Sequence, residues 1–328
     1  MARLSLGMRR IQAVLDRNQV CAIRTLEMKI SDAGPADLRV EPHILGVAGS
    51  ELSTRGFIKA HKHPKTGTHN WFSPARLSQD EVNKKLDELV PAYLESTASK
   101  FTASLGDPLE ISIFKILKDL RRKDRRIIFF GSFDLSARLS SGRYSKTEPP
   151  IDINDSVISG PPDFFMTHPN TGEPCIIECK NVREWIYPSS ALMKDLVRKA
   201  LVADMTPILI ARRLPFITKV ALCAPAGIIA HETYRQLYPN TPYGHSLAVT
   251  VTKTRGLGYA DVLVSEDPLP RTVDFFERNL PGLLVTASAK FQANRPALSA
   301  WVDGDMTWPQ LRLHLAADYT EPDAEMNF

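Results

Sequence analysis

Three charged residues stand inside apolar stretches, and their types and spacing suit phosphoester chemistry. Residues 162–180 read Pro-Asp-Phe-Phe-Met-Thr-His-Pro-Asn-Thr-Gly-Glu-Pro-Cys-Ile-Ile-Glu-Cys-Lys. Asp163 leads the apolar run Phe164-Phe165-Met166, and Cys175-Ile176-Ile177 lead into Glu178-Cys179-Lys180. The pattern predicts two short strands joined by a turn over residues 168–172. Strand side chains alternate between faces, so Glu178 and Lys180 share one face and Cys179 takes the other. A hairpin would bring Asp163 beside them. A charge buried in a strand is costly unless it is paired or binds a metal. Two carboxylates and an ammonium at one end of a buried sheet therefore make a candidate site for a divalent cation. Phosphodiester hydrolysis needs a nucleophilic water and relief of the charge growing on phosphorus. Mg2+ on Asp163 and Glu178 would supply part of both, with the Cys179 backbone carbonyl as a further ligand. Lys180 would orient the water and stabilise the transition state. The plainer alternative is a Glu178–Lys180 ion pair at a strand end, with Asp163 capping a turn.

The surrounding sequence supplies elements to hold these groups. Residues 108–120 predict a helix with Ile113, Phe114, Ile116, Leu117 and Leu120 on its apolar face. Glu110 falls on that face, either as an extra carboxylate for the site or as a complement to the helix dipole. A strand is expected at 127–131, then an irregular Ser-, Pro- and Gly-rich insertion over 136–160. Ser189-Ser190 should cap a helix over 191–203. Its inward set would be Leu192, Leu196, Val197, Ala200 and Leu201, with Lys194, Arg198 and Lys199 outward. Residues 207–211 read as a buried strand.

Pro162-Asp163 followed by Glu178-Cys179-Lys180 resembles the signature of the PD-(D/E)XK, or restriction-endonuclease-like, nuclease superfamily. That family's order of helix, three strands, helix and strand has a candidate for each piece over roughly residues 101–213. The resemblance implies an α/β fold, a mixed central sheet flanked by helices. It implies a Mg2+-dependent DNA endonuclease, with Mn2+ able to substitute, that leaves 5′-phosphate and 3′-hydroxyl ends. Asp163, Glu178, Lys180 and Glu110 would be the catalytic residues. Asp163, Glu178, the Cys179 carbonyl and Glu110 would hold the metal, and Lys194 or Arg198 would face the DNA backbone.

The charge distribution points to the same partner. Residues 1–78 hold twelve Lys/Arg against six Asp/Glu, a net +6, which leaves −2 for the remainder of a chain with +4 overall. A basic first quarter suggests a nucleic-acid-facing module. Met8 to Ile30 carries helical periodicity, a second helix is expected near 41–49, and residues 53–60 are a third helix or a strand. The cation-rich turn of residues 62–69 then forms a basic hairpin. Short helices followed by such a hairpin resemble a winged-helix DNA-binding domain, mostly helical, with Arg55, Lys59, Lys62 and Lys65 as DNA contacts. His61, His63 and His69 lack an evident fourth ligand and read as loop histidines. Ser78 and Glu81 form a capping box for a helix whose Val82, Leu86, Leu89, Val90 and Tyr93 share a face.

The expected organisation is a DNA-binding domain at 1–78, a connecting helix and linker at 79–100, and a nuclease domain with C-terminal extension at 101–317. Residues 318–328 would be a disordered tail. Beyond residue 213, strands are expected at 219–223 and 247–252, and helices near 231–237, 271–279 and 308–317. No run of about 18 apolar residues occurs, so no membrane span is expected. The N-terminus has no signal-like apolar region, which suggests a cytoplasmic protein. The four cysteines lack metal-type spacing and read as buried thiols. Beside the endonuclease of a restriction, defence or transposon type stand two further readings. One is a repair or recombination nuclease on branched or damaged DNA, the other a non-catalytic DNA-binding regulator. A homodimer or a partner protein is compatible with each.

Overall fold

The computed structural model describes residues 2–31, 40–67, 70–97, 105–153, 156–168, 170–254, 257 and 259–317. His69 and the tail at 318–328 lie outside the described residues. The chain forms two compact units, one built on Met1–Ala103 with Pro242–Val262, the other on Ser104–Thr241 and the chain from Leu263.

In the first unit the order is α1 (Ala2–Asn18), β1 (Cys21–Ala22), α2 (Ile23–Ser31), α3 (Pro42–Thr54), β2 (Ile58–Lys62), β3 (Asn70–Pro74) and α4 (Gln79–Thr97). The helical periodicity from Met8 to Ile30 does not continue through. The backbone turns left-handed at Gln19, φ 67°, and Cys21 and Ala22 pair with Phe72 and Trp71 of β3. Sheet closure thus interrupts the helix. The three strands run antiparallel in the order β1-β3-β2, over a core of Ile11, Leu15, Leu26, Leu45, Leu52 and Ile58. Trp71 is fully buried. Its indole N–H donates to Thr66 Oγ1 at 3.1 Å, and its ring meets Tyr93 of α4 edge-on at 5.2 Å. The hairpin turn is thereby fastened to α4. That helix opens with the expected capping box, Ser78 N–H to Glu81 Oε2 at 2.8 Å and Glu81 N–H to Ser78 Oγ at 3.3 Å.

In the second unit, α5 (Gly106–Lys123) precedes β4 (Ile128–Phe130), β5 (Ser132–Arg138), β6 (Tyr144–Thr147), β7 (Asp152–Ile153) and β8 (Ser156–Val157). Then come β9 (Phe164–Thr167), β10 (Pro174–Lys180), α6 (Ala191–Ala203), β11 (Thr206–Ala211), β12 (Ile229–Glu232), β13 (Gln236–Tyr238), α7 (Leu280–Asp303) and α8 (Trp308–Ala317). A five-stranded sheet has the order β12-β11-β10-β9-β4. It is mixed: β4, β9 and β10 pair antiparallel, while β10, β11 and β12 pair parallel. Side-chain alternation on β10 and β11 divides the core in two. Cys175, Ile177, Ile208 and Ile210 pack with Ile113, Phe114 and Leu117 of α5. Ile176 and Leu209 pack with Met193, Leu196, Val197 and Ala200 of α6. Ser190 caps α6, its Oγ accepting from the Met193 N–H at 3.3 Å. The fold is mixed α/β, a central sheet between helices.

Several local expectations are corrected. The stretch 136–160 is not irregular throughout, since β5 and β6 form an antiparallel ribbon. Residues 247–252 are helical within Pro242–Lys253, where Leu247 and Val251 are buried. This helix packs on α4, so it belongs to the first unit and not to an extension of the second. Packing at i, i+4 outweighs the strand preference of its Val and Thr residues. Residues 219–223 form a helical turn, and 231–237 run from the end of β12 to the start of β13, with Tyr234 left-handed between the strands at φ 58°. The predicted helix at 271–279 continues without a break into α7. Among the described residues no helix is long and apolar enough to cross a membrane. All four cysteines are free and buried.

Candidate active site

The site lies where the β9–β10 ladder ends. The last pair is Ile177 with Phe164, so one step further Asp163 stands opposite Glu178. Directly opposed residues of an antiparallel pair project to the same face. The Cys179 N–H donates to Asp163 Oδ2 at 2.7 Å, so the carboxylate closes the ladder end. Asp163 is held there by a close backbone approach. A Cβ on Gly131 would lie 2.5 Å from the Asp163 carbonyl oxygen and 2.8 Å from the Phe164 ring, and the residue has φ +99°. Glycine alone fits that position.

Glu178 is buried with its side chain only 4% exposed, and each oxygen meets a lysine: Oε2 to Lys180 Nζ at 2.6 Å, Oε1 to Lys199 Nζ at 2.9 Å. Burial acts to raise the Glu178 pKa, but Lys180 and Lys199 outweigh it and hold it below the ordinary value. Burial works against the charge of both ammonium groups, and Glu178 more than reverses this, so both pKa values are raised. Lys199 also reaches Asp195 Oδ2 at 2.9 Å. It was expected outward on α6 and is in fact buried.

A second cation completes the cluster. Lys146 of β6 places Nζ 3.0 Å from Glu110 Oε2, 3.1 Å from Glu148 Oε2 and 3.4 Å from Asp163 Oδ1. Burial raises the Asp163 pKa, and the charges of Glu110 and Glu178 add to it, giving about 7. Burial likewise raises that of Glu110, with Lys146 opposing. The structure thus gathers Asp163, Glu178, Lys180 and Glu110 in one place, together with Lys146 and Lys199, which sequence reasoning missed as site residues. Lys199 had a signal, because it lies three residues after Leu196 and four before Ala203 on the buried stripe of α6. Lys146 had none, since its ribbon is fixed by long-range pairing.

The donor chemistry fits a hard cation. Three carboxylates crowd together, and a divalent ion would relieve the like-charge repulsion that adds to burial in lifting Asp163. The Cys179 thiol packs in the core, where burial and then the charges of Asp163 and Glu110 raise its pKa. As the side chains stand, their oxygens turn to lysines. Among the described residues no three His, Cys, Asp or Glu side chains converge closely enough to hold an ion. Glu110, Glu148 and Asp163 share Lys146, Glu178 takes both Lys180 and Lys199, and Asp195 shares Lys199.

The expected DNA contacts divide. Lys59, Lys62 and Lys65 are exposed on β2 and the turn after it, and Arg55 is exposed and pairs with Glu51 at 2.7 Å. Lys194 and Arg198 serve a different purpose. Lys194 Nζ donates to the Trp301 carbonyl at 3.0 Å, and Arg198 to the Val302 carbonyl at 2.8 Å. Both cations meet the last carbonyls of α7, where unpaired acceptors and the helix dipole favour positive charge. They fasten α6 to α7, and the outward assignment is corrected. His61 bonds Ser73 Oγ at 2.8 Å, and His63 Nδ1 accepts from the Lys65 N–H at 3.3 Å, so each has a local structural partner.

Compared with known proteins, the chain matches no family model, no curated protein and no solved structure.

Proposed function

We propose that the chain is a Mg2+-dependent DNA endonuclease. Its chemistry would lie with Asp163, Glu178 and Lys180 in the second unit, and duplex binding with the basic hairpin of the first. The observation that carries this reading is the register. Asp163 stands one step beyond the β9–β10 ladder, opposite a Glu178 that is bonded to Lys180 at 2.6 Å. Glu110 supports the cluster from α5. Mg2+ on Asp163 and Glu178, with Glu110 and the Cys179 carbonyl as further oxygen ligands, would supply charge relief and an activated water. Lys180 holds its proton firmly, so its ammonium can orient a water and oppose charge growing on a phosphoryl oxygen. Burial of Glu178 strengthens these interactions by excluding solvent. In the first unit the order α1-β1-α2-α3-β2-β3 with sheet β1-β3-β2 supports a winged-helix-like role, a helix in the groove and the hairpin on the phosphates.

A second reading, a DNA-binding protein without catalysis, draws on the lysines that already occupy the oxygens of Glu110, Asp163 and Glu178. Supercoiled plasmid incubated with the full chain in Mg2+, in Mn2+ and in EDTA separates the two. The endonuclease reading expects nicked or linear DNA with either cation and none in EDTA. It also expects loss of cleavage with retained duplex binding in Asp163→Ala, Glu178→Ala and Lys180→Ala. Wild-type cleavage by any of the three variants would show the site to be misassigned. Retarded but uncut DNA in both cations favours the second reading.

A further inference from the structure

The ammonium of Lys146 occupies the position where charge logic would put a metal. It lies among Glu110, Glu148 and Asp163 at 3.0, 3.1 and 3.4 Å. Asp163 has its other oxygen committed to the Cys179 N–H, so the lysine and any incoming cation address the same Oδ1. The backbone beneath Lys146 is firmly fixed. Lys146 pairs with Phe133 across the β5–β6 ribbon. Arg143, before β6, grips Asp107 of α5 with two bonds of 2.6 and 2.7 Å. Arg138, at the end of β5, grips Glu266 with bonds of 2.6 and 2.7 Å and stacks on Tyr144 at 4.3 Å. The Arg143–Asp107 pair is bidentate, two nitrogens on two oxygens, and such pairs fix geometry. What remains free to move is the lysine stem, four carbons ending in a compact charge.

Like-charge repulsion gives the movement a reason. Lys146 holds the oxygens of Glu110 and Asp163 that a divalent ion would take, so the ion and the ammonium would repel one another a few ångströms apart. The repulsion is relieved when the ammonium leaves those carboxylates for an anion. Lys180 and Lys199 are bound to the deeply buried Glu178. Lys146 is shared among three acceptors, one of them the 48% exposed Glu148, and none of its contacts is as short as the Lys180–Glu178 bond. Lys146 is therefore the ammonium that an ion on Glu110 and Asp163 would displace.

We propose that Lys146 is a tethered counter-cation that competes with the divalent ion for Glu110 and Asp163 and, when displaced, offers its ammonium to a substrate phosphate. This makes it a positioning residue that couples metal loading to nucleic-acid binding, and it rests on the endonuclease reading above. The predicted behaviour is weak metal binding by the free protein, strengthened when a phosphate receives the lysine.

Two measurements on the full chain test this without any cleavage. The first is calorimetric titration with Mn2+ in the absence of DNA, on wild type, Lys146→Met, Lys146→Arg and Asp163→Asn. Lys146→Met should bind Mn2+ about tenfold or more tightly, the effect expected when an opposite charge a few ångströms away is removed. Lys146→Arg should stay at or below wild type, and Asp163→Asn should lose binding. The second needs no variant and covers the case in which Lys146→Met does not fold. Acetylation of Lys146 by acetic anhydride, followed by peptide mass spectrometry, should speed up several-fold in saturating Mn2+ as the ammonium is released. An unchanged or slower rate overturns the proposal, as does Mn2+ binding by folded Lys146→Met no tighter than wild type. If wild type binds Mn2+ through Asp163 but Lys146→Met gains nothing, only the role of Lys146 falls. If no protein in the set binds Mn2+, the metal-dependent reading falls with it. If Lys146→Met binds more tightly but wild type leaves plasmid uncut, the competition stands and the nuclease reading fails.

Discussion

Replacing Asp163 by Asn turns the crowding of the site into a measurable stability change. Asp163 ionises in the fold only near pH 7, against an ordinary value of 3.8. A carboxyl raised in this way weakens the fold as pH rises, because the unfolded chain surrenders its proton first. The loss begins near pH 4 and is complete just above pH 7. At 1.36 kcal/mol per pH unit the full difference is about 4 kcal/mol. Asn has nearly the same volume, keeps an oxygen to accept the Cys179 N–H, and does not titrate. It loses the contact with Lys146, which retains Glu110 and Glu148, so about half of that figure should survive. With about 2–4 °C per kcal/mol for a domain of this size, Asp163→Asn in EDTA should melt about 4–8 °C above wild type at pH 8. Near pH 4 the two should converge. Calorimetric melts between pH 4 and 8.5 read this directly. The variant should keep a shallower decline of its own, because burial also raises Glu110. Millimolar Mg2+ should raise the wild-type midpoint and leave the variant almost unmoved, since a ligand stabilises only the state that binds it. The reasoning would be refuted by parallel pH curves, or by a variant that melts below wild type at pH 8.

Other perturbations test the remaining parts. Gly131→Ala forces a methyl against the Asp163 backbone at a left-handed φ, so it should cost about 1–3 kcal/mol or more in denaturant unfolding and impair cleavage. Unchanged stability would mean the approach is looser than drawn. Lys199→Met strips one of two lysine partners from buried Glu178, which keeps Lys180, and should destabilise by about 1–3 kcal/mol at pH 8. Because the Glu178 pKa would then climb, part of that loss should disappear near pH 4; a loss independent of pH would refute the pairing. Arg198→Ala removes a hydrogen bond to the end of α7 and should lower stability by about 1–2 kcal/mol without changing duplex affinity. Charge reversal at Lys59, Lys62 and Lys65 should weaken duplex binding and flatten its salt dependence by about 0.9 in log–log slope per lost phosphate contact. An unaltered slope would move the DNA surface elsewhere.

What the sequence determined by itself was local. The alternation of faces on β10 put Glu178 and Lys180 together, and the turn between two short apolar runs put Asp163 opposite them. Ser78 with Glu81 and Ser190 announced helix starts, because capping is settled within three residues of the start. The apolar face of α5 already carried Glu110. Tertiary structure decided the rest, for reasons of range and competition. Lys146 reaches the carboxylates only because a ribbon anchored through Asp107 and Glu266 carries it there, and nothing within a few residues of it signals either partner. Gly131 matters because of a backbone 32 residues later. Lys194 and Arg198 look like solvated cations until α7, a hundred residues on, offers them its terminal carbonyls. The Val- and Thr-rich segment at 247–252 prefers a strand locally but becomes a helix, because burial of Leu247 and Val251 against the first unit outweighs a propensity difference of about 1 kcal/mol.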